Sequence, residues 1–343
     1  MKKLLSLLTV FVLISHAPEA SAELKLSGEA GIRLRDDFGD IKYYGAKTSP
    51  EDQYFQYRIA LRASADIGDG YFFRATIQDE SYPEGWASIQ TNNTEIYSLM
   101  VSQFYFGRNT PNTQWSLGRI PLGSFDNPFL DLTLYAISCP VDIPFTTYNF
   151  DRLFGCNYTT RLGSGQWTGI LVNLDDNASS EWFNDGYGFY TCYKVPVGNL
   201  TFIPQAYLTL THFSDGRKPY SFGTQVFIPV GKSLVTLSGV YTADDNSYNG
   251  SNNDYEGYIF RIRGESGPFM AWIDYNKTTD HENGRDLNNT FVWAQYKFKV
   301  HESASGSFTL MPVIRYRAST ENNASGKIEN DLFRTEVYAT VTF

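Results

Sequence analysis

The sequence predicts an all-β protein, a closed transmembrane antiparallel barrel of about sixteen strands with one long loop folded inward. Three observations predict it. Segments throughout the chain alternate apolar and polar residues one for one. Short turns alternate with long polar loops. Past residue 22, no apolar run approaches the roughly 20 residues that a spanning helix needs. Any crossing of a membrane must therefore use strands, which satisfy their backbone groups in lipid only when the sheet closes.

Residues 1–22 read as a signal peptide. Lys2 and Lys3 precede an apolar run from Leu4 to Ile14, and Ala20-Ser21-Ala22 forms a small-residue site, so export with cleavage after Ala22 is expected. Residues 23–343 then form the barrel. Glu23 to Arg35 places Leu24, Leu26, Gly28, Ala30, Ile32 and Leu34 on one face, with Lys25, Ser27, Glu29, Arg33 and Arg35 on the other. Tyr54 to Ile67 and Tyr71 to Asp79 repeat the pattern around the tight turn Gly68-Asp69-Gly70. Further short turns are expected near Gly163, Val197, Gly231, Gly264 and Ser303. Polar loops are expected at 36–52, 80–94, 175–185, 214–218, 244–254, 278–287 and 320–330. Pro204 and Pro312 interrupt two strand patterns, since proline forfeits a ladder hydrogen bond.

A soluble sandwich would give no reason for aromatic residues to gather at strand ends. Here Tyr54, Phe55, Tyr57, Tyr71, Phe213, Tyr220, Phe222, Tyr241, Tyr258, Phe260, Tyr275, Phe298 and Tyr316 fall where membrane-interface girdles would lie. The 28 basic and 37 acidic residues give a formal charge of −9, which argues against nucleic acid as a partner.

The long loop, about residues 120–153, carries Pro121, Pro128, Pro140 and Pro144 and the acids Asp126, Asp131 and Asp142. A loop of that length is usually functional. Cys139 and Cys156 are candidates to pair and pin it, the alternative being unpaired thiols. If the apolar face meets lipid, the opposite face lines water, and its charges matter. That face carries Arg33, Arg35, Arg58, Arg62 and Arg74, with Arg161, Arg261, Arg263, Arg315, Arg317 and Arg334 further round. Closure would bring Arg33, Arg58, Arg74, Arg317 and Arg334 into one basic wall. The competing reading pairs these arginines with Glu29, Asp66, Asp274 and Glu336.

Asp245, Ser247, Asn249 and Glu256 match a calcium-loop spacing in part, although their flanks are strands. Neither a metal nor any other cofactor is expected. Four scattered histidines offer no catalytic set, so no enzyme activity is expected.

The final stretch FRTEVYATVTF alternates and ends on Phe343, KLSGEAGIRLR opens the mature chain, and SLGRIPLGSFDNP leads into the long loop. These stretches resemble the Gram-negative outer-membrane porin family of general-diffusion type. The resemblance implies a homotrimeric, water-filled channel for passive diffusion of small hydrophilic solutes and ions. Lipid and lipopolysaccharide would surround it, and Phe343 would serve as the signal for the barrel-assembly machinery. It also implies a constriction where the basic wall (Arg33, Arg58, Arg62, Arg74, Arg317, Arg334) faces Asp126, Asp131 and Asp142 of the loop, and it turns Arg119 inward. The small outward residues Gly28, Ala30, Ala63, Ala65 and Ala75 would suit subunit contact. A substrate-specific channel remains open, favoured if Tyr207, Trp272, Phe291, Trp293 and Tyr338 line a sliding track. So does an adhesin or structural barrel.

Overall fold

Strict alternation sends apolar side chains to one face of each strand and polar ones to the other. A sheet with one greasy and one wet face, long enough to curl, loses its edges by closing on itself. The computed structural model describes residues 23–79, 86–89, 99–122, 152–175, 185–212, 216–248 and 251–343. They form β1 (Glu23–Tyr43), β2 (Ala46–Thr48), β3 (Glu51–Gly68), β4 (Tyr71–Gln78), β5 (Ala87–Ser88), β6 (Met100–Asn109), β7 (Thr113–Pro121), β8 (Arg152–Leu162), β9 (Gly165–Asp175) and β10 (Gly186–Val197). The series continues with β11 (Leu200–Thr209), β12 (Tyr220–Val230), β13 (Ser233–Tyr248), β14 (Ser251–Ser266), β15 (Phe269–Asp280), β16 (Arg285–Tyr296), β17 (Phe298–Ser303), β18 (Gly306–Asn323) and β19 (Gly326–Thr342).

Neighbouring strands pair antiparallel, and β1 pairs with both β3 and β19, which closes the barrel. The wall has sixteen strands. β2 and β5 are short additions to β1 and β3, while β16 and β17 are two parts of one wall strand broken at Lys297. Pro312 falls opposite that break, where β18 passes from β17 at Leu310 to β16 at Val313. Pro204 sits within β11 opposite Thr224, and neither proline ends its strand.

The outer surface is apolar and exposed, from Leu24, Leu26 and Ile32 round to Ile314, Val337 and Val341. Tyr71, Tyr220, Phe222, Tyr241, Phe260, Tyr275, Phe298 and Tyr316 stand on it as expected. Tyr54 does not: its hydroxyl accepts from Arg35 Nη1 at 2.9 Å on the inner face. Phe213 lies outside the described residues. At the seam, Phe343 and Gly28 exchange backbone hydrogen bonds of 2.7 and 3.0 Å. The Phe343 ring then covers Gly28 so closely that a Cβ there would lie 2.4 Å from it. Gly28 is therefore filled from within the chain and offers no cleft to another subunit.

Several expected loops are paired strand instead. β13 and β14 pair as far as Tyr248 and Ser251, β18 and β19 as far as Asn323 and Gly326, and β1 runs on to Tyr43. The ladder continues past the point where alternation stops, because polar side chains occupy both faces there. The turn expected at Gly264 is at Gly267-Pro268, with Gly267 at a φ of 58°.

Candidate functional site: the inner wall

Arg33, Arg58, Arg62, Arg74, Arg317 and Arg334 all lie at inward positions, as the alternation predicts. Register decides what each one meets. Opposite Arg33, β19 places Tyr338 and β3 places Gln56. One step along β19, the carboxylate of Glu336 is wholly buried among three arginines. Arg35 Nε lies 2.6 Å from it, Arg315 Nε 2.5 Å and Arg33 Nη1 3.6 Å. Tyr338 Oη accepts from Arg33 Nη1 at 2.8 Å and from Arg315 Nη2 at 2.7 Å, and faces Glu336 at 3.3 Å. Arg33 also donates to Gln56.

Trp86, a lone tryptophan in a stretch expected to be polar loop, completes the cluster. The Arg33 guanidinium lies 4.6 Å from its ring centre, and the ring meets Tyr338 edge-on at 5.5 Å. Its position in the sequence gave no hint of facing; only its bulk among polar neighbours marked it.

The remaining arginines divide. Arg334 binds Asp37 through two hydrogen bonds of 2.5 and 2.6 Å. Arg62 and Arg58 reach Glu29 at 3.2 and 3.7 Å. Arg74 stands apart at the short-turn rim, bound to Asp66 at 2.8 Å and to the carbonyls of Ala65 and Phe73. Arg317 is buried, with Nε and Nη1 lacking a hydrogen-bond partner. Across β14 and β15, Arg261 binds Asp274 in a buried bidentate pair at 2.6 and 2.8 Å. The basic wall is thus largely ion-paired, with Glu29, Asp66, Asp274 and Glu336, which the competing reading named, and with Asp37, which it did not. Across β18, β19, β1 and β3 the arginines 315, 317, 334, 33, 35, 58 and 62 outnumber the carboxylates Glu336, Asp37 and Glu29 beside them; Asp52, Asp66 and Glu321 add inward carboxylates nearer the two rims, so the positive excess is small and lies mid-wall.

The inward aromatics do not form an open track. Trp272 and Trp293 stack at 4.7 Å, and Arg315 caps Trp293 at 3.9 Å. Yet Tyr207, Trp272, Phe291, Trp293 and Tyr338 are each at most 7 % exposed, which leaves no ring face for a passing solute. A second inward cluster, from Ile120, Leu122 and Leu153 through Ile170, Val172 and Leu174 to Tyr190 and Tyr207, is equally buried.

Arg119 faces outward, a correction to the inward position implied by resemblance. It pairs across from Phe104 and Phe154, donates to the Val101 carbonyl at 3.4 Å and lies 5.9 Å from the Phe154 ring. Cys156 is exposed on the same outer face, in line with Phe154 and Tyr158. Cys139, Asp126, Asp131 and Asp142 lie outside the described residues. The calcium candidate is not supported by the geometry. Asp245 pairs with Asp254 and Ser247 with Asn252 in an extended ladder, which spreads residues that a wrapped loop would gather. Asn249 lies outside the described residues, and Glu256 accepts from Tyr241 Oη at 2.7 Å. Among the described residues, no group of three or more His, Cys, Asp and Glu side chains could hold a metal ion.

No family model matches the sequence, and no curated protein matches it either. Solved structures do share its fold. The outer membrane channel DcaP of Acinetobacter baumannii superposes with a TM-score of 0.59 at 11 % identity, covering 95 % of this chain and 98 % of that one. The anion-selective porin from Comamonas acidovorans gives 0.58 at 11 % identity, with 93 % and 100 % covered. The trimer form of OmpT, an outer membrane protein of Vibrio cholerae, gives 0.55 at 12 % identity, with 92 % and 99 % covered. At these identities the likeness is one of fold, a closed sixteen-stranded antiparallel barrel.

Proposed function

We propose that this chain forms a channel in a bacterial outer membrane for passive diffusion of small hydrophilic solutes and ions, with no catalysis and no cofactor. The observation that carries the reading is the combination of a closed wall, an exposed apolar outside and an arginine-rich inside. A surface greasy on the outside suits lipid, and a charged inside suits water and ions. On this reading the chain is exported with cleavage after Ala22, and Phe343 presents the assembly signal. The barrel works as a homotrimer among lipid and lipopolysaccharide. The loop of about residues 120–153 folds inward as the constriction. It would also bring Asp126, Asp131 and Asp142 towards the arginines.

The positive excess on β18, β19, β1 and β3 favours a second reading, a channel that prefers anions. Recording single channels of purified protein in a planar bilayer under a salt gradient separates the two. Steps in threes with weak selectivity support general diffusion. A reversal potential strongly on the anion side supports the second reading, and absence of conductance removes both. Replacing Arg33 and Arg58 together by Ser is expected to move the reversal potential towards cations. Arg74→Ser, at the rim and paired to Asp66, is expected to leave it in place.

A further inference from the structure

The inward positions of β1 run Glu29, Gly31, Arg33 and Arg35, and Gly31 alone of these four has no side chain. A Cβ built on Gly31 would lie 3.0 Å from Trp86, so the indole sits on the lumen side of β1, in the notch that the glycine leaves. From there it reaches the next inward residue, with the Arg33 guanidinium 4.6 Å from the ring centre. The Arg33 side chain is 5 % exposed, against 20 % for Arg58 and 40 % for Arg62 on the neighbouring strand. Arg33 is thus the hidden member of the mid-wall arginines on β1 and β3.

The indole belongs to none of the wall strands. Immediately after it, β5 adds two residues to β3, Ala87 opposite Tyr57 and Ser88 opposite Gln56, and Ile89 N donates to the Phe55 carbonyl at 3.0 Å. Gln56 joins this strap to the arginine, accepting from Arg33 and donating through Nε2 to Ser88 Oγ at 3.1 Å. Tyr338, Gln56 and Glu336 lie beside Arg33 in the wall, whereas the indole is laid over it from the lumen. A guanidinium under an aromatic face is held by the ring quadrupole and at the same time loses contact with water and with passing ions.

We propose that Trp86 is a shield that withholds Arg33 from the lumen and thereby sets how strongly the channel prefers anions. The ion preference rests on the channel proposed for this chain; the shielding does not. Two measurements on the purified protein separate them. An arginine-specific dicarbonyl reagent, read out by peptide mass spectrometry, is expected to modify Arg62 and spare Arg33 in the wild type, and to modify both in Trp86→Ala. Gly31→Val, which fills the notch and displaces the indole without removing it, should expose Arg33 in the same way. Trp86→Phe, which keeps a ring over the guanidinium, should retain most of the protection. In planar bilayers, Trp86→Ala is expected to raise the ratio of anion to cation permeability about twofold, and adding Arg33→Gln should remove the rise. Arg33 modified as readily as Arg62 in the wild type, or still spared in Trp86→Ala, would overturn the shield. A permeability ratio unchanged in Trp86→Ala, or raised equally with Arg33→Gln present, would overturn its effect on ions. The expected labelling pattern in a barrel that conducts nothing would overturn the channel and leave the shield standing.

Discussion

The inner wall has two regions of opposite character. Across β18, β19, β1 and β3 it carries arginines gathered around Glu336, Asp37 and Glu29. From β7 round to β11 it carries Ile120, Leu153, Ile170, Val172 and Leu174, all buried. Both regions obey the same alternation, and both point away from the lipid-like outer face. What differs is how each avoids an unfavourable exposure: one by ion pairing, the other by packing apolar side chains against one another. Facing inward therefore does not mean facing water.

The sharpest way to break the charged region is Glu336→Gln. Three arginines would be left around a neutral amide at a wholly buried position, and a loss of about 3–5 kcal/mol is expected. Heat-induced unfolding in detergent measures it; an unchanged midpoint would mean that solvent already screens the cluster. Arg261→Leu should cost a similar amount by stranding Asp274, whereas the double change Arg261→Leu with Asp274→Leu should recover most of it, as a double-mutant cycle would read.

The apolar region is sharpened by two adjacent residues of β9 that face opposite ways. Ile170→Ala, on the inner face, is expected to destabilise by about 2–4 kcal/mol through the cavity it leaves. Leu171→Ala, on the exposed outer face, removes surface that detergent or lipid refills, and under about 1 kcal/mol is expected from it. Equal losses would show that the inner cluster is not packed.

The smallest effect belongs to the hairpin tips, beyond either region. There Lys327 at 2.5 Å and Lys42 at 2.9 Å hold the Glu329 carboxyl down to about 2 from its ordinary 4.5. A carboxyl depressed on folding stabilises above its unfolded value and loses that contribution as pH falls through its folded one. The tip contacts should thus persist through mild acid and dissolve only near pH 2. In Lys42→Ala the Glu329 titration should move upward, which carboxyl-resolved NMR or infrared titration would detect.

The sequence showed the faces more clearly than the contacts. Arg33, Arg58, Arg62, Arg74, Arg317 and Arg334 were all read inward because a period of two fixes facing locally. Their partners were not legible, since whether Arg334 meets Asp37 depends on the register of two strands from opposite ends of the sheet. Arg119 misled because its motif suggested one face, while its register with Phe104 and Phe154 imposes the other. The inward cluster around Ile170 is not legible in the sequence because β9 is apolar on both faces there, which erases the alternation. The tall hairpins look like loops in the sequence for the opposite reason: both of their faces are polar.

The Glu336 cluster also bears on the order of folding. Arg33 and Tyr338, joined at its centre, are 305 residues apart in the chain. Contacts of such separation are the slowest to form, so the cluster completes only when β1 and β19 meet. Until then the sheet is an open ribbon with two unpaired edges, the form most prone to join a neighbouring chain. Once made, the buried arginine knot lies across the one seam where the ribbon could reopen. The same residues that line the interior therefore make closure late to arrive and slow to reverse.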